Sequence, residues 1–336
     1  MTGPAERALS ELTEQRLLLH GLGVTNAAVA RAAARHGLDV VLSDDREPAG
    51  AAELASEIDA ELVLGPTSAQ LDALVGAVDA VVPAPGLAET HRLFSAAAEH
   101  GRPVLSEFDL AAAWDDRPVI AITGTNGKTT TSLLIDSILH TAGRKTLLVG
   151  TIEYRLAGEV LKAANTTPDS LDLFELYSRL VAAGGSDVTM EVSSHALALG
   201  RVYGIGFHTA IFTNLTRDHL DFHNTMEEYF AAKRMLFEGA GAPPPRFAVL
   251  NHDDEWARRI TPAGEALWYG ISEGAAVRAR DIESTFDGLR FDIEFEGRRF
   301  PIRSPLPGRM NVFNILCAWC AARTYGFDAD LIAEGI

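Results

Sequence analysis

Short apolar runs alternate with alanine-rich segments of helical spacing through the first hundred residues of the chain. The apolar runs fall at residues 17–19, 40–42, 62–64, 80–82 and 104–105. Helical spacing is clearest at 27–35 and 90–99, between these runs. Strands that alternate with helices are typical of βαβ units, in which parallel strands form a sheet that helices cover. The pattern predicts a Rossmann-like α/β domain over residues 1–115.

A second series of the same kind begins after the polar, proline-bearing segment Asp115-Asp116-Arg117-Pro118. The sequence predicts a domain boundary at this segment and a second domain over residues 118–336. From residue 119 an apolar strand leads into a Gly-rich loop and a helix at 129–139. Further strands are predicted at 145–148, 188–192 and 209–212. This order again indicates a parallel sheet with helices on its faces.

Residues 276–303 have a different pattern, in which apolar and polar side chains partly alternate. Asp287-Gly288 and Glu296-Gly297 separate the alternating stretches and are typical turn pairs, so we expect a small antiparallel annex of hairpins. A helix is predicted at 311–324, and it contains the two cysteines of the chain, Cys317 and Cys320. No second cysteine or histidine pair accompanies them, so we expect two buried small side chains rather than a metal or redox site.

The formal net charge of −17 argues against a broad nucleic-acid-binding surface, because phosphate binding needs a positive footprint. A small nucleotide pocket remains compatible with this charge. No stretch approaches the roughly 20 apolar residues that span a bilayer. Residues 1–16 carry Glu6, Glu11 and Glu14 where a signal peptide would be apolar. The sequence therefore predicts a cytoplasmic protein without nucleic-acid or membrane partners, and we expect a monomer.

The strongest local motif is a Gly-rich segment between the first strand and the first helix of the second domain. We call it the phosphate loop; it comprises Thr123, Gly124, Thr125, Asn126, Gly127, Lys128, Thr129 and Thr130. Glycines let successive N–H groups face an anion, and the helix N-terminus adds its dipole. Lys128 is predicted to reach the β- and γ-phosphates of a nucleoside triphosphate, and Thr129 to hold Mg²⁺. Ile122 stands where the longer pattern has glycine, so the loop is a shortened variant; the alternative is a Gly-rich turn with a chance lysine.

Glu191 and His219 lie at or just beyond the ends of two predicted strands of the second domain. The carboxyl ends of parallel strands meet at the crevice that the phosphate loop faces, so we expect both side chains to coordinate a cation there. Mg²⁺ prefers oxygen ligands, and a histidine therefore indicates a second metal position that tolerates Mn²⁺. Taken singly, each residue would be structural or surface-exposed. Ser193 and Ser194 have neither a GxSxG elbow nor a triad order, so no hydrolase is indicated.

The turn His20-Gly21-Leu22-Gly23-Val24-Thr25-Asn26 follows the first strand and opens a helix. With Asp44 or Asp45 about 20 residues on, it invites a dinucleotide-binding interpretation. Asn26 replaces the third glycine of that fingerprint, and a dehydrogenase would leave the phosphate loop unexplained. The dinucleotide interpretation is therefore the weaker one.

Several linked motifs of the second domain resemble the central domain of the Mur ligase family over roughly residues 119–325. They are Gly124-Thr-Asn-Gly-Lys-Thr129, Glu191-Val-Ser-Ser-His195, Asn214-Leu-Thr-Arg-Asp-His-Leu-Asp221, Tyr229-Phe-Ala-Ala-Lys233 and Pro307-Gly-Arg-Met-Asn-Val-Phe-Asn314. Asn165-Thr-Thr-Pro168 adds a likeness to the tripeptide-forming, diamino-acid-adding (MurE-type) members. The first domain instead resembles the uridine-nucleotide domain of the D-glutamate-adding (MurD-type) members, in Gly23-Val-Thr25, Asp44-Asp-Arg46 and Pro85-Gly86.

The resemblance implies roles for individual residues. Lys128 and Thr129 would serve ATP and Mg²⁺, Glu191 and His219 a second metal, and Asn311 and Asn314 the adenine end. Residues implied at the muramyl-peptide end are Thr166, Thr167, Ser194 and Arg201. Residues implied at the uridine diphosphate end are Gly23, Val24, Thr25, Asp44, Asp45, Arg46 and Gly86. Lys233 is implied to be carbamylated, which turns an ammonium that Mg²⁺ would repel into a carboxylate ligand; without the resemblance it would be a solvated helix residue.

The implied activity is ATP-dependent ligation of a free amino acid to a UDP-N-acetylmuramoyl-peptide through an acyl phosphate, in peptidoglycan precursor synthesis. The central domain favours addition of a diamino acid, either lysine or diaminopimelate, to UDP-MurNAc-L-Ala-D-Glu. The first domain favours addition of D-glutamate to UDP-MurNAc-L-alanine. Mur ligases have a third domain where this chain stops, so that domain is expected to be absent and the chain inactive alone. The alternatives are a non-catalytic nucleotide-binding homologue and a folate polyglutamate ligase, which shares the loop but does not need the uridine-like domain.

Overall fold

The computed structural model of the protein describes residues 15–114 and 117–336. These residues form two compact units, of which the first ends at residue 116 and the second begins at Arg117. Most of the acidic segment 1–16 and the pair Asp115-Asp116 lie outside the described residues. Within the described part of the chain, every helix is too short or too polar to cross a bilayer.

The first unit is built on a four-stranded parallel sheet with strand order β3-β2-β1-β4. Its strands are β1 (Arg16–His20), β2 (Asp39–Asp44), β3 (Glu61–Leu64) and β4 (Ala80–Pro83). Its helices are α1 (Val24–Arg35), α2 (Ala51–Ile58), α3 (Ser68–Gly76), α4 (Arg92–Glu99) and α5 (Glu107–Trp114). Leu17, Leu18 and Leu19 are all fully buried, because helices cover both faces of the sheet. The predicted Rossmann-like α/β domain is confirmed.

The apolar run at 104–105 forms no strand of its own. Val104 makes only an isolated parallel bridge to Val81. The chain turns into α5 at once, since Ser106 and Asp109 hydrogen-bond to each other at the start of that helix. Two residues are too few to form a ladder before such a turn.

Asn26 replaces the third glycine of the dinucleotide fingerprint, and the structure shows its role. Its buried carboxamide donates to the carbonyl oxygens of His20 and Val82, at 3.2 Å each. These carbonyls lie at the carboxyl ends of β1 and β4, so the two hydrogen bonds of Asn26 connect the first turn of α1 to both strands. A glycine at this position could not make that connection.

The second unit is built on an eleven-stranded mixed sheet with strand order β15-β14-β13-β12-β11-β10-β5-β9-β6-β7-β8. Its first strands are β5 (Val119–Thr123), β6 (Thr146–Val149), β7 (Glu153–Leu156), β8 (Glu159–Lys162), β9 (Asp187–Glu191) and β10 (Thr209–Phe212). The remaining strands are β11 (Phe247–Asn251), β12 (Glu265–Gly270), β13 (Val277–Thr285), β14 (Gly288–Phe295) and β15 (Arg298–Ser304). The strands from β6 to β13 in this order pair in parallel, as predicted for the part that carries the phosphate loop.

Helices cover both faces of this sheet. They are α6 (Lys128–Thr141), α7 (Ser170–Ala182), α8 (Ser194–Ala198), α9 (Leu220–His223), α10 (Met226–Glu238), α11 (Met310–Thr324) and α12 (Ala329–Gly335), with a short 3₁₀ helix at Ala257–Arg259. Successive residues of β10 belong to opposite cores: Phe212 packs in the core with α7 and α10, and Ile211 in the core with α6 and α11. Cys317 and Cys320 of α11 are buried, as expected.

The predicted antiparallel annex extends the main sheet. β12 pairs with β13 in parallel, and β13, β14 and β15 then pair antiparallel. Both predicted turns are present, with Gly288 and Gly297 at positive φ of 126° and 72°. A second hairpin, β7–β8, turns at Ala157-Gly158 and was not predicted, because β8 is mostly exposed and shows no apolar alternation.

Candidate functional site

The phosphate loop connects the end of β5 to the start of α6, and two of its glycines are required by the packing around them. Gly124 has φ 146°, and a Cβ there would overlap Thr213 Oγ1. Gly127 has φ 88°, and a Cβ there would come within 2.5 Å of Asn314 Oδ1. The loop is therefore enclosed by the segment after β10 on one side and by α11 on the other.

Asn214 braces the phosphate loop from the segment after β10. Its carbonyl oxygen accepts from the N–H of Thr125 at 2.8 Å, and its Oδ1 accepts from the N–H of Asn126 at 3.1 Å. Its Nδ2 donates to the carbonyl of Asn126 at 2.9 Å. The amides of Thr125 and Asn126 are thus engaged within the protein. The amides of the first turn of α6 have no intrahelical acceptor, so this end of the helix is a candidate anion-binding site.

Two lysines converge on the loop from different helices. Lys128 Nζ donates to the carbonyls of Gly124 and Thr125, at 3.0 and 3.2 Å. Lys233 Nζ donates to the same Gly124 carbonyl at 3.0 Å and lies 3.5 Å from Thr123 Oγ1. Lys233 is only 1% exposed, so the interpretation of it as a solvated helix residue is wrong. The reason is that the side of α10 that carries Lys233 packs beneath the phosphate loop.

Burial changes the proton affinity of both amines. Desolvation lowers the pKa of Lys233 well below its ordinary value, and the positive charge of Lys128 lowers it further. Desolvation also lowers the pKa of Lys128, against the opposing effect of the carboxylates of Glu191 and Asp218. Lys233 is therefore the amine that loses its proton more readily.

Glu191 ends β9 with a fully buried side chain. Its two carboxylate oxygens accept from the N–H and the hydroxyl of Thr151, both at 2.9 Å. Within the described ranges, no Lys or Arg lies within ion-pair distance of it. Glu191 and Thr129 line the same cavity, of about 110 Å³. A buried carboxylate that faces a hydroxyl and lacks a cationic partner fits a divalent cation with a preference for oxygen.

Tyr229 links His219 to the phosphate loop; it belongs to a family motif, but sequence reasoning assigned it no role. Its ring lies 5.8 Å from that of His219, and Lys233 Nζ lies 4.6 Å from the tyrosine ring centroid. Its hydroxyl is 3.3 Å from Thr125 Oγ1. Tyr229 precedes Lys233 by four residues on α10, and this helical spacing was the available signal. His219 itself, just before α9, is half-exposed and has a positive φ of 51°.

The residues implied at the muramyl-peptide end form a connected network next to Glu191. Thr166 Oγ1 lies 3.1 Å from Thr151 Oγ1, and the buried Thr167 donates to the Glu191 carbonyl at 3.0 Å. Arg201 donates to the Thr167 carbonyl at 3.1 Å and pairs with Asp169. The network joins three predicted residues to the candidate metal ligand. Thr151 was missed, because 40 residues separate it from Glu191.

Ser194 begins α8, and His223 of α9 holds its side chain. The two are joined by a 2.9 Å hydrogen bond between His223 Nε2 and Ser194 Oγ. His223 also packs against Tyr229, with ring centroids 5.2 Å apart. The serine is therefore oriented by a histidine that sequence reasoning did not select.

Asn311 and Asn314 lie in the first turns of α11. Asn311 Nδ2 donates to the carbonyl of Pro307 at 2.7 Å, and Asn314 Nδ2 donates to Asn311 Oδ1 at 2.9 Å. Asn314 Oδ1 then faces Gly127. Asn314 thus contacts the loop directly, and Asn311 fixes its orientation.

The residues implied at the uridine diphosphate end lie at the end of β2, in the loops after β1, β2 and β4, and at the start of α1. Gly23 is the N-cap of α1, Val24 is almost fully exposed, Thr25 follows in the first turn, and Gly86 lies after β4. Asp44 holds these loops in place: its oxygens accept from the N–H groups of Leu22 at 2.6 Å and Arg46 at 2.9 Å. Asp45 is half-exposed and pairs with His91 at 3.0 Å.

Comparison with known families agrees with both halves of the resemblance. A family model of the Mur ligase middle domain matches residues 122–322. A family model of the MurD-like N-terminal domain of Mur ligases matches residues 15–106. The two matches fall in the two compact units.

Curated relatives include two proteins named UDP-N-acetylmuramoyl-L-alanyl-D-glutamate--2,6-diaminopimelate ligase. The one from Solibacter usitatus is 59% identical over 246 residues, which cover 71% of this chain and 49% of the relative. The one from Geobacillus thermodenitrificans is 44% identical over 225 residues, which cover 65% and 46%. The chain spans about half the length of the curated relatives it matches.

Solved structures share the fold. A structure titled as a UDP-N-acetylmuramoyl-L-alanyl-D-glutamate--2,6-diaminopimelate ligase aligns with a TM-score of 0.61 at 24% identity, over 97% of this chain and 60% of that one. A pseudomurein peptide ligase type C from Methanothermus fervidus aligns with a TM-score of 0.52 at 21% identity, over 96% and 70%. The middle-domain match extends over more than half of the sequence, and by it this chain belongs to the Mur ligase family.

Proposed function

We propose that this chain forms the nucleotide-binding part of an ATP-dependent ligase that joins a free amino acid to a UDP-N-acetylmuramoyl-peptide in peptidoglycan precursor synthesis. Residues 1–115 would bind the uridine diphosphate end and residues 118–336 would bind ATP. One observation carries the proposal: the buried carboxylate of Glu191, which forms no ion pair with a Lys or Arg in the described ranges, shares a cavity with Thr129 at the start of the phosphate-loop helix. A carboxylate and a hydroxyl that line one cavity beside a phosphate loop are suitable ligands for a divalent cation that accompanies a nucleotide.

ATP binding follows from the groups that the loop leaves available. The free amides of the first turn of α6, at Lys128, Thr129 and Thr130, would donate to the phosphates of ATP, and the helix dipole would stabilise their negative charge. Lys128 now donates to two neutral carbonyls, and phosphate oxygens are stronger acceptors for an ammonium. Asn314, which contacts Gly127, and Asn311 beside it are proposed to approach the adenine end.

We propose two Mg²⁺ positions, the second of which tolerates Mn²⁺. Thr129 would hold the first, and Glu191, His219 and carbamylated Lys233 would serve the second. Mg²⁺, when bound, neutralises charge on the transferring phosphoryl group. The buried, easily deprotonated amine of Lys233 supports carbamylation, since only a neutral amine reacts with CO₂.

In the proposed reaction the terminal carboxylate of the UDP-muramyl-peptide attacks the γ-phosphorus of ATP, ADP leaves, and an acyl phosphate forms. The neutral amine of the amino acid then attacks the acyl carbon, inorganic phosphate leaves, and an amide results. Lys128 stabilises the charge of the migrating phosphoryl group. Thr166, Thr167, Ser194 and Arg201 position the acceptor, so no nucleophilic serine is required.

The names of the curated relatives and the extent of the middle-domain match favour UDP-MurNAc-L-Ala-D-Glu as the acceptor and diaminopimelate as the amino acid. A second candidate is the addition of D-glutamate to UDP-MurNAc-L-alanine, which the MurD-like match of residues 15–106 favours. We also propose a monomer that acts in the cytoplasm, where nucleotide substrates are available.

Calorimetric titration of the chain with both acceptor nucleotides, in the presence of an ATP analogue and Mg²⁺, tests this assignment. Phosphate release is then measured with diaminopimelate, L-lysine and D-glutamate. Tighter binding of the dipeptide-bearing nucleotide, and release with diaminopimelate, support the first candidate. Preference for UDP-MurNAc-L-alanine and D-glutamate supports the second. A chain that binds neither ATP nor an acceptor contradicts both.

A further inference from the structure

Three side chains that commonly bind metals converge in the first unit, outside the phosphate loop. His20 ends β1, Asp45 follows β2, and His91 is the N-cap of α4. One nitrogen of each imidazole and one oxygen of the carboxylate lie within 4.8 Å of one another. The three residues are far apart in sequence, and the parallel topology brings them together at the carboxyl edge of the sheet.

His20 has an unpartnered nitrogen that points into this cluster. The side chain is 1% exposed, and its Nδ1 lies 3.3 Å from Ser43 Oγ. Its Nε2 makes no hydrogen bond to any residue that the structure describes, although Asp45 Oδ1 is 3.4 Å away. The tautomer of His20 determines what this nitrogen offers. With the proton on Nε2, the N–H points at the Asp45 carboxylate from 3.4 Å. With the proton on Nδ1, which then donates to Ser43, Nε2 directs a lone pair towards that carboxylate, and this arrangement is repulsive unless a cation lies between the two atoms. A hydrogen bond on the other ring nitrogen is typical of metal-binding histidines.

The separations within the cluster suit a small tetrahedral ion. Two ligand atoms that are each 2.0–2.1 Å from a tetrahedral Zn²⁺ lie about 3.4 Å apart. Asp45 Oδ1 lies 3.4 Å from His20 Nε2, and Asp45 Oδ2 lies 3.0 Å from His91 Nε2. Only small side-chain movements are therefore needed to place an ion among the three groups.

One existing contact opposes the ion. His91 Nδ1 accepts the N–H of Leu93 at 3.2 Å, which caps α4 and puts the ring proton of neutral His91 on Nε2. A metal on Nε2 shifts that proton to Nδ1, and the cap is lost. The Leu93 amide is therefore a reporter of metal binding to His91.

We propose that His20, Asp45 and His91 form a binding site for a divalent transition metal of the Zn²⁺ class, with the fourth coordination position open. Two imidazoles and one carboxylate are a poor set for Mg²⁺, which prefers oxygen, and a good set for Zn²⁺. The site therefore differs in chemistry from the cavity that Glu191 and Thr129 share. It shares Asp45 with the proposed uridine diphosphate end, but its metal binding does not depend on the proposed ligase activity.

The test is a Zn²⁺ titration of the whole chain in excess Mg²⁺, followed by calorimetry, with Co²⁺ absorption as a second readout of tetrahedral coordination. We expect Asp45→Asn and His91→Ala each to lower the affinity for one of the bound Zn²⁺ ions at least tenfold. His100→Ala is the matched control, since His100 is a partly exposed histidine of the same unit that pairs with Asp72. Glu191→Gln should leave the affinity for this Zn²⁺ ion unchanged.

Nuclear magnetic resonance separates the site from other zinc-binding positions. Zn²⁺ should shift the Leu93 amide resonance of the wild type and leave it in place in Asp45→Asn, whose side chain keeps the size of aspartate. Equal Zn²⁺ affinity in the wild type and both variants, or an unmoved Leu93 resonance at saturation, would overturn the proposal and leave a hydrogen-bonded His–Asp–His cluster.

Discussion

Lys128 and Lys233 donate to one and the same acceptor, the carbonyl oxygen of Gly124, each from 3.0 Å. Two ammonium groups so close together repel each other, and Lys233 is the more deeply buried of the two. Lys128 therefore helps to keep the pKa of Lys233 low. The shared carbonyl places Lys128, the proposed phosphate ligand, next to Lys233, the proposed carbamylated metal ligand. The role of each lysine can be tested separately.

Lys233 is expected to take up CO₂ at a lower pH than an exposed lysine does, because its neutral amine is populated at lower pH. The chain equilibrated with ¹³C-bicarbonate should show a carbamate carbon resonance that Lys233→Met removes. Lys145→Met is the control, since Lys145 is exposed and donates only to the Ala183 carbonyl. A carbamate signal that survives in Lys233→Met would refute the assignment.

The lowered pKa of Lys233 also predicts how stability depends on pH in CO₂-free buffer. Between the lowered value and the ordinary 10.5, the unfolded state binds a proton that the folded state has lost. The free energy of unfolding should therefore rise with pH in this window, by at most about 1.4 kcal/mol per pH unit for one proton. Urea unfolding at a series of pH values measures it. Lys233→Met should show a smaller rise, which remains because the pKa of Lys128 is also lowered. Parallel curves for the two proteins would contradict the prediction.

Lys128→Ala is expected to weaken ATP binding about 10- to 100-fold, because it removes a charged hydrogen-bond donor to phosphate. It should also abolish ATP-dependent phosphate release wherever the wild type shows it. Calorimetric titration with ATP and Mg²⁺ is the measurement, and circular dichroism checks the fold. Lys145→Ala is the control of equal charge change. Unchanged ATP affinity in Lys128→Ala would exclude the loop as the phosphate site.

Glu191→Gln keeps the side-chain size and one acceptor for Thr151 but removes the negative charge. We expect the Mg²⁺ concentration that supports ATP binding to rise at least about tenfold. Glu153→Gln is the control, because Glu153 lines the same cavity but is neutralised by Arg155 at 2.6 Å. Equal effects of the two substitutions would mean that Glu191 is not a metal ligand.

Gly124→Ala should abolish ATP binding, since the new Cβ overlaps Thr213 Oγ1 and the residue has a positive φ. The loop must shift, and with it the carbonyl that both lysines share. Gly143→Ala provides the comparison: that glycine also has a positive φ, but a Cβ there meets no atom within 4 Å. Similar ATP affinities for the two variants would show that the enclosed geometry of the loop is unimportant.

The sequence predicted most of the parallel strands, because strands buried on both faces appear as continuous apolar runs, as at residues 17–19 and 209–212. It did not predict the parallel strands β11 and β12. It also predicted the turns at Gly288 and Gly297, where left-handed backbone favours glycine. It did not predict that β13 joins β12, since alternation identifies a hairpin but not its neighbour. Such pairings depend on long-range packing.

The same limit applies to the candidate site. The phosphate loop, Glu191 and His219 were identified from motifs at or near strand ends. The burial of Lys233 was not predictable from a helical pattern, because it depends on which side of α10 packs beneath the loop. Thr151 lies 40 residues from the carboxylate that it holds, and Tyr229 contacts Thr125 across 104 residues. These partners become apparent only once the strand order is known.

The packing of α11 and α12 determines where the second unit can be truncated without exposing its core. α11 and α12 both pack on α6, and Gly335 lies so close to Ile138 that a Cβ would come within 2.6 Å of its Cα. A fragment cut at residue 322, where the middle-domain match ends, would uncover the apolar flank of the helix on which the phosphate loop rests. An isolated second unit therefore has to extend to residue 335 to keep its proposed ATP-binding end supported.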